Sequence, residues 1–157
     1  MTAEKSESHG AFLSRMKRQF EIGPYPRLPI EKTPKNDPNG LFIHNLVTPY
    51  YLWRQQIPTT EDKVILDAGC GTGYKAALLA EANPRAKIVG IDLSPKSLNL
   101  AQKRMKYCGC EDRSEFHSLA IENIAQLGIQ FDYINCDEVL YYSNDIASEL
   151  ATLKSVL

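Results

Sequence analysis

Apolar positions along the chain follow two regimes that meet near residue 60. In the first, "AFLSRMKRQF" spaces Phe12, Met16 and Phe20 at four-residue intervals and leaves Arg15, Lys17 and Arg18 elsewhere on the wheel. That pattern predicts a short amphipathic helix whose apolar stripe covers another surface of its own protein. Five of the nine prolines then crowd into "PYPRLPIEKTPKNDP", where fixed φ angles and missing amide donors exclude a long helix or a central strand. An ordered arm or a linker follows the helix. After it, "LFIHNLVTPYYLWRQQI" is dense in aromatics, with Pro49 limiting the reach of any one helix.

In the second regime short apolar runs alternate with helical patterns, which is how a parallel α/β sheet reads. "VILDA" predicts a first strand and Thr72 to Ala82 a helix stopped by Asn83-Pro84. "KIVGID" predicts the second strand. Ser94 caps the next helix, Pro95 sits in its first turn, Leu98, Ala101 and Met105 line one face, and Gly109 stands where a helix-ending glycine belongs. "SEFHSL" is a shorter third strand, "IENIAQLG" a brief helical turn, and "FDYINC" the fourth strand. Asn144-Asp145 opens a last helix with Ile146, Leu150, Leu153 and Leu157 along one stripe.

Composition narrows the partners. With 157 residues, 43% of them hydrophobic, the chain can fill one core. A formal net charge of -1 argues against a nucleic-acid or membrane partner held by bulk charge. Cys70, Cys108, Cys110 and Cys136 complete no zinc pattern, so no metal is expected, and Cys108 and Cys110 are expected as thiols at a helix end and the loop after it. The polar start "MTAEKSESHG" and the lack of a long apolar run lead to the expectation of a reduced, cytoplasmic protein.

The chemistry concentrates in "VILDAGCGTGYKAALLA". Glycines after a strand let the chain turn sharply and let a ligand touch the backbone, while the first amides of the next helix offer free donors. A phosphate-binding P-loop is excluded, because Tyr74-Lys75 stands where Gly-Lys-Ser/Thr is needed. The permissive dinucleotide fingerprint is met by Gly71, Gly73 and Ala76, with Asp92 at nearly the distance of a ribose-binding acid. It leaves Asp67 and Gly69 idle.

"DAGCGTG" with the later "IVGIDLS" uses all of them, and resembles the signature of class I S-adenosylmethionine-dependent methyltransferases. The resemblance covers Val64 to Tyr142 and implies a Rossmann-like α/β sheet with S-adenosyl-L-methionine as cofactor. It implies that Asp67 helps hold the methionine end, that Gly69, Gly71 and Gly73 make room for the ligand, and that Asp92, with Leu93 beside it, accepts from both ribose hydroxyls. The acid that meets adenine in the family is replaced by Ala120 here, which passes that contact to Ala120 and Ile121 or to Glu122. "FDYINCDEVLYY" resembles the family's fourth motif, so Asp137 would line the methionine-side cleft, and Tyr141 or Tyr142 would face the substrate or pack on the surface. The arm with "LFIHNLVTPYYL" is similar to the N-terminal part of an uncharacterised cyanobacterial group within that family.

The cofactor would bring the activated methyl, leaving orientation to the protein. His44 is the candidate base by residue type, with a hydrogen-bonded structural histidine as the other reading, and His117 is expected to be structural. Amino-methylating and cytosine-methylating motifs are absent, which favours a small-molecule acceptor over DNA. The family sheet has seven strands, so the expectation is a sheet cut after the fourth strand and its helix, with residues 1–60 as arm and covering segment and 61–157 as a partial cofactor domain. Impaired catalysis and self-association through the exposed fourth strand follow as expectations. Two other readings stay open: a non-catalytic remnant on the same scaffold, and a dinucleotide-binding oxidoreductase.

Overall fold

The computed structural model describes residues 8–157. Four parallel strands, β1 (Val64–Ala68), β2 (Lys87–Asp92), β3 (Ser114–Ser118) and β4 (Tyr133–Asn135), stand in the order β3-β2-β1-β4. The chain therefore runs from β1 outward to one edge and then returns to the other side of β1. β1 pairs with β2 from Val64–Lys87 to Ala68–Ile91, and with β4 only from Ile65–Tyr133 to Asp67–Asn135.

Side-chain alternation sends neighbouring residues of one strand to opposite faces, and both faces are covered. Ile65 and Ile88 pack against Ala76, Leu79 and Met105 on one face, while Leu66, Val89 and Ile91 meet Ile121, Ile124, Phe131 and Leu153 on the other. The first layer comes from α4 (Tyr74–Ala82) and α5 (Pro95–Tyr107). The second is the 3-10 segment Ile121–Leu127 with α6 (Ile146–Ser155). The Ser94 hydroxyl caps α5 by accepting from the Ser97 amide at 3.1 Å, and Leu98, Ala101 and Met105 are buried as their spacing requires.

Two expectations need correction. The fourth strand is three residues long rather than six: the Phe131 amide donates to Val156 O and the Asp132 amide to Val64 O, outside the regular ladder. Along α6 the buried residues are Leu153 and, just past its end, Val156, whereas Ile146, Leu150 and Leu157 are exposed. α6 rests on the 3-10 segment with one end of its stripe only; the rest has no cover among the described residues.

The N-terminal part wraps this sheet. α1 (His9–Ile22) lies against α5 with Met16 buried, as the amphipathic spacing predicts. The proline arm contains one short 3-10 turn, Pro34–Asn36, before α2 (Pro38–Ile43) and α3 (Val47–Arg54), and Pro49 falls in the first turn of α3. Fully buried Asn83, at the end of α4, anchors this stretch by accepting from the Leu46 amide and donating to His44 O, both at 2.8 Å. Arg113 closes the same helix end, donating to Ala80 O at 2.6 Å and Ala86 O at 3.0 Å. No helix among the described residues is long and apolar enough to cross a membrane.

Candidate cofactor site at the carboxyl ends of the strands

The loop after β1 is built to turn. Gly73 precedes α4 at φ +79°, a conformation other residues adopt only with strain, and a Cβ there would press on Ala101 Cα of α5 at 2.7 Å. At Gly71 a Cβ would collide with Tyr25 O of the proline arm, and at Gly69 with the side chain of Val139. The space that each glycine leaves is thus occupied by protein: α5, the arm and the segment after β4.

The amides of this loop are engaged one by one. Gly69 and Cys70 donate to Ile91 O at 2.8 and 2.9 Å, Gly71 to Asp92 Oδ2 at 3.0 Å, Thr72 to Tyr25 O at 2.9 Å and Gly73 to Cys70 O at 2.9 Å. The free donors expected of the helix's first amides lie one step further on: the amides of Tyr74, Lys75 and Ala76 at the start of α4 have no partner among the described residues, while those of residues 69–73 are all engaged. Strand β2 supplies the reason, since its end lies close enough for Ile91 O and Asp92 to take three of the five.

Above the loop opens a cavity of about 410 Å³ outside the carboxyl ends of the strands. Gly69, Gly71, Asp92, Leu93, Ala120, Ile121 and Asp137 line it, together with Tyr141 and Tyr142. Glu122, the other candidate for adenine, lines it too and pairs with His9 at 2.8 Å. Asp92 is held by the Gly71 amide on one oxygen and the Ser94 amide, at 2.8 Å, on the other. Each oxygen keeps a second lone pair, so the carboxylate can still accept from two hydroxyls. Burial raises its pKa, against the lowering effect of those amides.

Asp67 does not line the cavity but lies beneath it, at 2% exposure. Its Oδ1 accepts from Asn135 Nδ2 at 2.8 Å, and its Oδ2 is buried with no hydrogen-bond partner among the described residues. Burial, only partly offset by that bond and by Lys75, pushes its pKa up to about 7. On the cavity wall Lys75 pairs with Asp137 at 2.6 Å. A buried orphan acceptor thus lies beside an acid–base pair on the cavity wall.

Gly73 and His44 stand apart from the cavity. Gly73 serves the packing of α4 on α5. His44 caps α2, is 4% exposed, and holds its Nδ1 2.7 Å from Gly40 O, while burial lowers its pKa. The structural reading of this histidine is the one its surroundings support. His117 sits in β3 with Nε2 3.3 Å from Glu115. Tyr141 and Tyr142 have ring centroids 4.4 Å apart, and Tyr142 meets Phe20 edge-on at 5.9 Å. Hydrogen bonding to Tyr142 pushes Tyr141 up to about 12, so its phenol stays protonated at neutral pH.

The sequence reading missed one part of the wall. Phe12, Leu13, Met16 and Phe20 of α1, and Tyr25 and Pro26 of the arm, line the cavity opposite the strands. The apolar stripe of α1 signalled that something would be covered, but nothing local named the cleft as the surface. Lys75 was visible only as a residue that spoils a P-loop.

A cavity at the carboxyl edge of a parallel sheet, beside the strand where the order reverses, defines a doubly wound α/β protein of the nucleotide-binding kind. Within that class the chain belongs to the methyltransferase domain family, whose model matches residues 59–157. An uncharacterised protein of Synechococcus is 36% identical over 138 residues, covering 88% of this chain and 33% of that protein. Magnesium protoporphyrin IX methyltransferase from Synechocystis, solved with SAM, superposes with a TM-score of 0.63 at 20% identity over 99% of this chain and 74% of its own. A Rickettsia typhi protein, PKMT2, solved with AdoHcy, gives 0.56 at 29% identity over 64% of this chain and 20% of its own. The chain spans only 20–40% of the lengths of the first three curated relatives that it matches.

Proposed function

We propose that this chain carries the S-adenosylmethionine site of an enzyme that transfers a methyl group to a small-molecule acceptor. The observation that carries the reading is the polarity of the site. The loop at 69–73 has its amides engaged within the protein, while Asp92 keeps a free lone pair on each oxygen and Asp137, beside Lys75, gives the other end of the cavity both a carboxylate and an ammonium. A nucleoside diol and an amino-acid end carrying both charges match that set. When bound, the cofactor supplies a methyl already activated on a sulfonium.

The protein's own residues bind and orient. Asp92 accepts from the ribose hydroxyls, and Ala120 and Ile121, with Leu93 or Glu122, flank the adenine. Asp137 accepts from the amino group at the methionine end, with the buried Asp67 carboxyl beneath it, and Lys75 attracts its carboxylate. Gly69 and Gly71 keep the cavity floor free of side chains of their own. The helix α1 and the arm exclude water from the opposite wall. Five acids and one base line the cavity, which supports a small neutral or cationic acceptor over a polyanion such as DNA. The acceptor itself and the activity of the whole enzyme are the further reach of this proposal, because the relatives extend well beyond this chain.

Calorimetric titration of the chain with S-adenosylhomocysteine, with NAD as control, tests the reading. Saturable binding of the first and none of the second is expected. Tighter binding of NAD would replace it with the oxidoreductase, and a folded chain indifferent to both would leave a non-catalytic scaffold.

A further inference from the structure

Arg104, on α5, is the largest side chain of the molecule with no exposure at all, and no carboxylate hydrogen-bonds to it among the described residues. A buried cation without a counter-charge is costly unless every donor is satisfied. Main-chain carbonyls meet most of them. Nε donates to Thr72 O at 3.1 Å, Nη1 to Pro29 O at 2.8 Å with Ile30 O and Lys32 O at 3.4 Å, and Nη2 to Leu28 O at 2.9 Å. The guanidinium also lies 5.6 Å from the centre of the Tyr74 ring. One planar fork therefore holds two segments that the sequence keeps far apart, the proline arm and the glycine loop.

Those two segments touch each other as well. Thr72 Oγ1 donates to Pro26 O at 2.7 Å and the Thr72 amide to Tyr25 O at 2.9 Å. Tyr25 O also takes the room left by the missing side chain of Gly71, whose amide is bound to Asp92. Tyr25 and Pro26 line the cavity directly. If the arm leaves, Arg104 loses most of its acceptors, and the loop loses the carbonyls that fix Thr72.

We propose that Arg104 is a positioning residue that makes the docked arm part of the cofactor site, so that arm docking and cofactor binding stabilise each other. The inference rests on the cofactor reading above. Linkage makes it reciprocal: whatever frees the arm weakens the cofactor, and the cofactor protects the arm to the same degree. Lysine cannot replace the fork, since an ammonium offers a point charge and no planar set of five donors.

The test joins two readouts on the full chain. In the wild type, S-adenosylhomocysteine should slow tryptic cleavage after Arg27 and Lys32, both exposed on the arm. Arg104→Lys should bind S-adenosylhomocysteine about tenfold or more weakly, and the ligand should no longer protect those bonds. Thr72→Val, which removes only the hydroxyl bond to Pro26, should shift both readouts in the same direction by less, and serves if Arg104→Lys does not fold. A folded Arg104→Lys with full affinity and full protection overturns the inference, as does a Thr72→Val chain that keeps both when it is the only folded variant. A wild type that binds no S-adenosylhomocysteine overturns the cofactor reading instead, which keeps the two failures distinct.

Discussion

The two flanks of β1 differ in how completely they are built. On the β2 side five residue pairs hold the strands together, Ile88, Val89 and Ile91 are fully buried, and Asp92 is fixed by two amides before any ligand arrives. On the β4 side three pairs suffice, every residue of the strand is half-buried, and beyond it Glu138 adopts φ +59° while Tyr141 and Ile146 are exposed. The nucleoside half of the proposed site is therefore preformed. The half where an acceptor would approach stands at the open edge of the sheet, and its shape depends on what lies against that edge.

The sharpest way to break this contrast is through the core. Ile88→Ala should cost about 3 kcal/mol of stability and Ile134→Ala about 1 kcal/mol, read by urea denaturation; equal losses would mean that β4 is as firmly seated as β2. At the site, Asp92→Ala removes the ribose acceptors and orphans the Gly71 and Ser94 amides, so affinity for S-adenosylhomocysteine should fall on the order of 100-fold, or about 3 kcal/mol. Unchanged affinity in calorimetry would remove Asp92 from the site.

A smaller effect follows from Asp67, which sits between the flanks. Its pKa rises from 3.8 to about 7 on folding, so the folded state favours the protonated form. The contribution to stability is complete below 3.8 and is lost as pH rises to about 7. The melting temperature should decline across that interval and flatten in Asp67→Asn. A cationic ligand group beside Asp67 favours the ionised form, so affinity should climb with pH up to about 7 in the wild type alone.

What the sequence made legible is what local pattern controls. The strands β1 and β2, the Ser94 cap and the buried face of α5 follow from apolar runs and Gly, Pro and Ser punctuation, each decided within a few residues. What stayed hidden depends on contacts between distant segments. Nothing near Arg104 says that a basic residue one position from Met105 turns inward, because four of its five acceptors lie more than seventy residues away in the arm. Likewise nothing within the glycine loop says that three of its amides go to Ile91 O and Asp92 until β2 is placed against it. β4 reads as six residues because its apolar pattern outlasts its regular pairing, which at Phe131 gives way to Val156 O beyond α6 as the acceptor of the amide.

The Arg104 clamp also sets how the molecule answers to salt. Ion pairs near the surface, such as Lys75 with Asp137, weaken as ionic strength shortens the reach of their charges. A guanidinium enclosed by carbonyl dipoles has no exposed counter-charge for dissolved ions to screen. The arm is thus fastened by a contact indifferent to brine, while the pair at the mouth of the cavity is left to the solution outside.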